Sequence, residues 1–378
     1  MKIYYWSPFT SNVATIKAVI NSAFGLKKLF NFDTHIINSF GEWNNYKKDI
    51  KSKKINIINN KKKFNIIHAK GYFLSRVAYI KIFIHSFFFL KKILIKKKPD
   101  YLIIHLITSL PLILFLIFRF DTKLILRISG LPKLNYFRKL LWKLSKKNIQ
   151  FVTVPTKETL KNLKKMNIFD PSKLHFLPDP VFIKKKINQN LKNKKSHVRP
   201  YILNIGRLTK QKNQTLLVRS FKEISKKYKN LKLIILGDGE KYKELVSLAK
   251  DLSLQKKIEF PGQVDSPYKY IKDSLCVMVT SLWEDPGFVM IESSALKKVV
   301  INSDCPSGPK EFFQQGKSGF LFKNDDHQSL IKTFDKFMHS KKSKINFCIK
   351  QNYKKSLEYS EIEHSKSFRK LIEVYEKK

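Results

Sequence analysis

The 378-residue chain is 43% hydrophobic and 13% aromatic, enough for two globular domains of ordinary size, each with a substantial core. Its formal charge of +46, from 75 basic against 29 acidic side chains, points to an anionic partner: a nucleic acid, a membrane surface or a phosphorylated substrate. The bases are 67 Lys and only eight Arg, scattered in short runs among many Asn, Ile and Phe, so AT-biased coding shares the credit for the excess with a functional basic face.

From the N-terminus, MKIYYWSPFTSN breaks its apolar run at Ser7-Pro8, too early for the core of a signal peptide. Strands are predicted at KIYYW, THIIN, FNIIHA, DYLIIHL, TKLILRIS and QFVTVP, with helix-compatible basic stretches between most of them. Such apolar runs separated by helices predict a parallel sheet covered on both faces. Tyr101–Phe120 is nearly long enough to cross a bilayer, but His105, Thr108, Ser109 and Pro111 divide it, and a buried strand followed by a helix from Pro111 is predicted. Val77–Lys98 mixes Phe and Ile with clustered Lys and reads either as a core helix or as an interfacial helix drawn to anionic lipid.

Residues 183–199, rich in Lys, Asn and Gln, are predicted as a linker between a domain spanning 1–182 and a second spanning 200–355. Beyond it the alternation restarts: strand YILNIG, helix NQTLLVRSFKEISKKY, strand LKLIILGDG, helix YKELVSLAKDLSL, strand KIEFPG, a helix around Pro267, strand LCVMVTS and strand KVVINS. Residues 356–378 end in a basic helix, expected to pack back toward the N-terminal domain. The predicted fold is α/β, two doubly wound domains with the carboxyl ends of both sheets facing an interdomain cleft. Cys276, Cys305 and Cys348 are far apart and show no metal-ligand spacing, which argues against disulfides and zinc and for a reducing compartment.

The chemistry concentrates at strand ends of the second domain. Gly206, Arg207 and Lys212 lie on a turn into a helix, where a guanidinium fork, a point charge and helix amides suit a diphosphate. Gly237, Asp238, Gly239 and Gly262 end two further strands and could shape a loop against a nucleotide or simply serve the turns. Glu284 follows another strand, and a helix beginning near Gly287 puts Glu292 about two turns on. The amides of Gly287, Phe288 and Val289 would be first-turn donors, with Glu284 bonding sugar hydroxyls and Glu292 reaching a nucleotide ribose.

The ordered set GRL…K, GDG, F.G.V, E with seven residues to E, and DCPSGPKE…G.SGFLF resembles the retaining nucleotide-sugar glycosyltransferases of family 4, which have the GT-B fold, over about Tyr201–Phe322. The resemblance implies two Rossmann-like domains, a nucleotide sugar held chiefly by the C-terminal one, and no cofactor or metal. Carried over by position, Arg207 and Lys212 neutralise the diphosphate leaving group, Glu284 binds the transferred sugar and Glu292 the ribose.

The N-terminal half matches less closely: SPFTSN stands where a Gly-Gly loop is usual, and Ser129-Gly130 where a His-Gly pair is usual. His105 resembles an acceptor-side histidine near the family's cleft; His68 is a weaker candidate. The expected function is transfer of sugar from a nucleoside diphosphate to a glycan or lipid-linked acceptor in cell-envelope polysaccharide or lipopolysaccharide synthesis. It is expected in the cytoplasm, peripheral on the inner membrane face through an anionic membrane surface. A nucleotide-sugar epimerase of the same fold and a basic nucleic-acid-binding protein are the alternatives; with no aromatic-interleaved basic motif, no nucleic-acid partner is expected.

Overall fold

Short apolar runs rich in Ile, Leu, Val and Phe bury both faces of a strand, and each run here is flanked by a helix that covers it. The computed structural model describes residues 1–11, 13–62, 72–130, 132, 134–192 and 200–377. It comprises two compact units, Met1–Pro180 with Glu361–Lys378, and Val181–Ser360.

The first unit holds β1 (Lys2–Trp6), β2 (Asp33–Asn38), β3 (Asn56–Asn59), β4 (Tyr101–Ile104), β5 (Lys123–Arg127), β6 (Ile149–Val154) and β7 (Leu174–Phe176), parallel in the order 3-2-1-4-5-6-7. The pleat sends Ile3, Tyr5, Tyr101, Ile103, Ile125 and Phe151 into the core on one face, and Tyr4, Trp6, Leu102, Ile104, Leu124 and Val152 into the core on the other. The edge strand β3 stands where no strand was predicted; the predicted FNIIHA strand and His68 lie outside the described residues.

Tyr101–Phe120 divides as its polar residues predict, into β4 and the helix Ser109–Ile117, with Leu110, Leu112 and Leu114 buried. Among the described residues no helix is long and apolar enough to cross a membrane. Along the helix Tyr72–Lys97, Ile82, Leu90, Ile93 and Leu94 are buried, as in a core helix, whereas Ile80, Ile84, Phe88 and Ile95 are exposed.

The second unit holds β8 (Tyr201–Ile205), β9 (Lys232–Leu236), β10 (Ile258–Gly262), β11 (Cys276–Val279), β12 (Val300–Ser303) and β13 (Phe320–Phe322), parallel in the order 10-9-8-11-12-13. Strand order reverses between β8 and β11, so the loops leaving these two neighbouring strands meet at the carboxyl end of the sheet, the place where ligands bind in open α/β sheets.

One segment differs from expectation. The predicted linker begins with a helix, Lys184–Lys192, because Ile183, Ile187 and Leu191 recur every four residues and form a narrow apolar stripe. Lys272 Nζ donates to the carbonyls of Asn190 (2.9 Å) and Leu191 (3.0 Å), satisfying the C-terminal end of that helix. At the C-terminus, the helix Glu361–Glu376 is part of the first unit, with Phe368 and Ile372 in the core beside Val19 and Phe151. Gly25 permits its close approach to the helix Thr15–Phe30: a Cβ there would lie 2.3 Å from Ser365 Oγ and 2.7 Å from the Glu361 carbonyl.

Candidate functional site

The predicted diphosphate and sugar residues all belong to the second unit, on loops leaving the carboxyl ends of its strands. Gly206, Arg207 and Lys212 follow β8, Gly262 ends β10, and Glu284 follows β11. The loops are tied to one another by main-chain bonds. Gly237 N–H donates to the Gly262 carbonyl (2.8 Å), and Leu208 N–H to that of Asp238 (2.9 Å). Gly237 has φ +132°, and a Cβ there would stand 1.9 Å from the Gly206 carbonyl oxygen, so only glycine lets β8 and β9 end this close together.

Across the point where strand order reverses, Lys212 Nζ lies 2.5 Å from Glu284 Oε1. Three further bonds hold the two loops in register: Thr280 Oγ1 donates to the Lys212 carbonyl (2.9 Å), Leu282 N–H to the Gln211 carbonyl (2.8 Å) and Gln211 Nε2 to the Trp283 carbonyl (3.0 Å). Ser281 Oγ also donates to Glu284 Oε1, at 2.6 Å. Both side-chain bonds therefore end on Oε1, and Oε2 takes none from the described residues. Glu284 is 8% exposed, a buried anion whose charge is held by one ammonium and one hydroxyl. The Arg207 guanidinium is exposed and has no partner among the described residues, leaving its planar fork of donors open to an anion.

The helix after Glu284 starts where the sequence predicts it, running Phe288–Ala295 with Gly287 at φ +96° as its N-cap. The amides of Phe288 and Val289 are first-turn donors with no acceptor inside the helix. Two turns on, Glu292 is buried, and Tyr268 Oη donates to its Oε1 at 3.4 Å. The loop after β12 closes against this stretch: Gly308 N–H donates to the Glu284 carbonyl (3.1 Å), and a Cβ on Gly308 would lie 2.0 Å from the Pro286 carbonyl oxygen. The same loop holds Ser307 at φ +77°, a strained conformation for a residue with a Cβ.

Sequence reasoning missed Ser281, Tyr268 and Gln211 as partners of this site. Ser281 carried a weak signal, a hydroxyl three positions before the carboxylate; Tyr268 carried none, because folding brings it to Glu292 from 24 residues away. Cys305, also in the loop after β12, is buried, and burial pushes its thiol up to about 12, which removes thiolate chemistry near neutral pH.

His105 requires a correction. It stands at the end of β4, as predicted, but it is 1% exposed and lines a chamber of about 20 Å³ with Tyr5, Ser22, Arg127, Thr153 and His364, all of the first unit. That space admits one water molecule and no sugar ring. Burial, with the Arg127 charge adding to it, pulls the His105 pKa down to about 3, so the imidazole is neutral. An acceptor-side contact from His105 is therefore not supported, since β4 and its neighbours enclose the ring inside the unit. Among the described residues no cluster of three or more His, Cys, Asp or Glu side chains is placed to hold a metal ion.

Residues 184–376, just over half of the chain, match the family model described as glycosyl transferases group 1. The chain belongs to this family. The chain is 36% identical over 246 residues to an uncharacterized glycosyltransferase of Methanocaldococcus jannaschii, covering 58% of this chain and 59% of that protein. Over 131 residues it is 36% identical to the N-acetylgalactosamine-N,N'-diacetylbacillosaminyl-diphospho-undecaprenol 4-alpha-N-acetylgalactosaminyltransferase of Campylobacter jejuni, covering 35% of each. The matched regions thus span well under two thirds of these relatives' lengths. Its fold is that of Anabaena HepE, solved with UDP and glucose, at TM-score 0.73 and 14% identity over 99% of this chain and 100% of the other. Staphylococcus aureus TarM, solved as a point mutant with fondaparinux, alpha-GlcNAc-glycerol and UDP, superposes at TM-score 0.74 with 14% identity over 99% of both chains. The architecture is GT-B, with two Rossmann-like domains.

Proposed function

We propose that the chain transfers a sugar from a nucleoside diphosphate sugar to a glycan or lipid-linked acceptor of the cell envelope, with retention of configuration and without a metal ion. The observation that carries this reading is the Lys212–Glu284 pair at 2.5 Å, with the open Arg207 fork on the same loop as Lys212. Supporting it are the names of relatives, which act on diphospho-undecaprenol and poly(ribitol-phosphate) substrates, and the UDP held by HepE and TarM.

In this reading Arg207 and Lys212 bind the diphosphate and the Phe288 and Val289 amides assist. The bond from the anomeric carbon to the β-phosphate oxygen breaks, its electron pair staying on the diphosphate, where fixed cations stabilise the growing charge. The sugar becomes oxocarbenium-like, Glu284 Oε2 faces it, and the acceptor hydroxyl attacks from the departing side while passing its proton to the leaving phosphate oxygen. Retention follows from that same-face attack. A soluble chain docking on the inner face of the cytoplasmic membrane fits an acceptor carried by lipid.

Calorimetry with UDP and with GDP tests the donor site. One of them should bind, and Arg207→Ala should weaken it about 10-fold or more, as for loss of a charged hydrogen bond, with circular dichroism unchanged. Equal affinity of the two proteins for both nucleotides removes Arg207 from the site. Glu292→Gln should raise the donor KM with little change in kcat, by about 1.5 to 3 kcal/mol, because the ribose does not react. A fall in kcat at unchanged KM would place Glu292 at the reacting sugar instead. Transfer should persist in EDTA, since the charge on the leaving group is met by Arg207, Lys212 and helix amides; a complete loss restored by Mg²⁺ or Mn²⁺ would reverse this assignment.

A further inference from the structure

A groove of about 700 Å³ opens on the first unit, between the loop after β1, the start of the helix Ser109–Ile117 and the helix Tyr136–Ser145. Its volume falls in the range of pockets that bury most of a small ligand. Phe9, Leu106, Ile113, Leu140 and Leu144 give it an apolar lining, and Arg138 is its charged lining residue among those described.

Two features distinguish it from an ordinary crevice. The first is the helix Tyr136–Ser145, which seats Trp142 and Ser145 in the unit while presenting Tyr136, Phe137, Leu140 and Leu144 to solvent. Phe137 is 78% exposed and Leu144 58%. Leaving an arc of four large apolar side chains wet is unfavourable in proportion to the apolar surface that an occupant could cover. The stripe continues beyond the groove: Tyr79 lines it, and Ile80, Ile84 and Phe88 follow Tyr79 along the helix Tyr72–Lys97.

The second is charge. No Asp or Glu occurs between Asp49 and Asp100, between Asp100 and Asp121, or between Asp121 and Glu158, nor in residues 1–32. Every segment lining the groove therefore lacks carboxylates, while Arg138, Lys139, Lys143, Lys146 and Lys147 stand on or just beyond its outer helix. The complement of such a site is a hydrocarbon chain ending in an anion. A nucleic acid would need a row of cations along the groove, where the lining offers one.

We propose that this groove binds the hydrocarbon chain of a phosphate-bearing lipid, with its phosphate at Arg138 and the neighbouring lysines. Naming that lipid as the glycosyl acceptor rests on the proposed function; the binding itself does not.

The test is titration of the full chain with farnesyl diphosphate, a soluble isoprenoid amphiphile, in excess inorganic diphosphate, which fills any site that reads phosphate alone. Binding should persist in that excess, and Leu140→Asp/Leu144→Asp, at solvent-exposed positions, should weaken it about 10-fold or more with the circular dichroism of the wild type. Arg138→Ala should weaken it less, leaving the chain contacts intact. UDP affinity, measured on the same proteins, should not change: farnesyl binding without UDP binding would sink the donor-site reading and leave the groove, and the converse would sink the groove alone.

Displacement by inorganic diphosphate would overturn the proposal, as would equal farnesyl diphosphate affinity of the double variant. So would failure to bind the soluble probe while the wild type, and not the variant, floats with phosphatidylglycerol-containing vesicles, which would make this face a bilayer-docking surface. Sedimentation showing a dimer that the variant dissolves would instead assign the face to a second copy of the chain.

Discussion

Glu284→Gln should lower kcat by about 10²- to 10³-fold, the range seen when one preorganised electrostatic contact to a developing charge is lost, and should leave nucleotide affinity nearly intact. The amide keeps the size of the carboxylate and can still accept from Ser281 and Lys212, so the loop stays packed. What disappears is the negative charge presented through Oε2, the oxygen that takes no bond from the described residues. That charge matters most when the sugar is most positive, so the loss falls on the transition state and appears in kcat rather than KM. Steady-state kinetics on Glu284→Gln with UDP calorimetry alongside decides it. Wild-type turnover would mean that Glu284 only holds Lys212 in place.

Lys212→Met should be comparably damaging and should fail in a different way, losing donor affinity as well as turnover, about 10²-fold or more in kcat/KM. The ammonium answers to two anions. It neutralises Glu284, whose side chain is 10% exposed, and in the proposed function its remaining N–H donors meet the diphosphate. Its removal leaves a carboxylate largely out of water without its cation, a change that is costly wherever the pair is buried. Because the two residues act through one contact, their effects should not add: Lys212→Met/Glu284→Gln should cost much less than the product of the single losses. A double variant as impaired as that product would show that the pair does not work as a unit.

Much of this molecule is readable in one dimension because its strands are buried on both faces. KIYYW, DYLIIHL, TKLILRIS, YILNIG and LCVMVTS are continuous apolar runs, and such runs between helices have few solutions other than a parallel doubly wound sheet. Local chemistry placed the elements that carry the candidate residues as well, since Gly206, Gly237 and Gly262 mark strand ends, and Gly287 signals the start of the short helix that follows Glu284 and contains Glu292. What composition hid were weak periods. Three apolar residues at four-residue spacing, Ile183, Ile187 and Leu191, make a helix of a segment whose Lys and Asn content reads as a linker.

Partnership across the fold was decided only in three dimensions. Lys212 and Glu284 are 72 residues apart, and nothing local to either says that β8 and β11 are neighbours in the sheet; strand order does that, and the reversal at those strands brings their loops together. Burial was decided there too. His105 looks equally available in sequence as ligand or filler, and it is the packing of β1, β4 and β5 with the helix Glu361–Glu376 that encloses it with Tyr5, Arg127 and His364. Exposure is the reverse case: in YFRKLLWKLS, Trp142 turns inward while Phe137, Leu140 and Leu144 stay in solvent, because a helix with apolar residues on most of its faces can seat only one against its unit. The sequence states which side chains are apolar, and only the neighbouring elements determine which of them are covered.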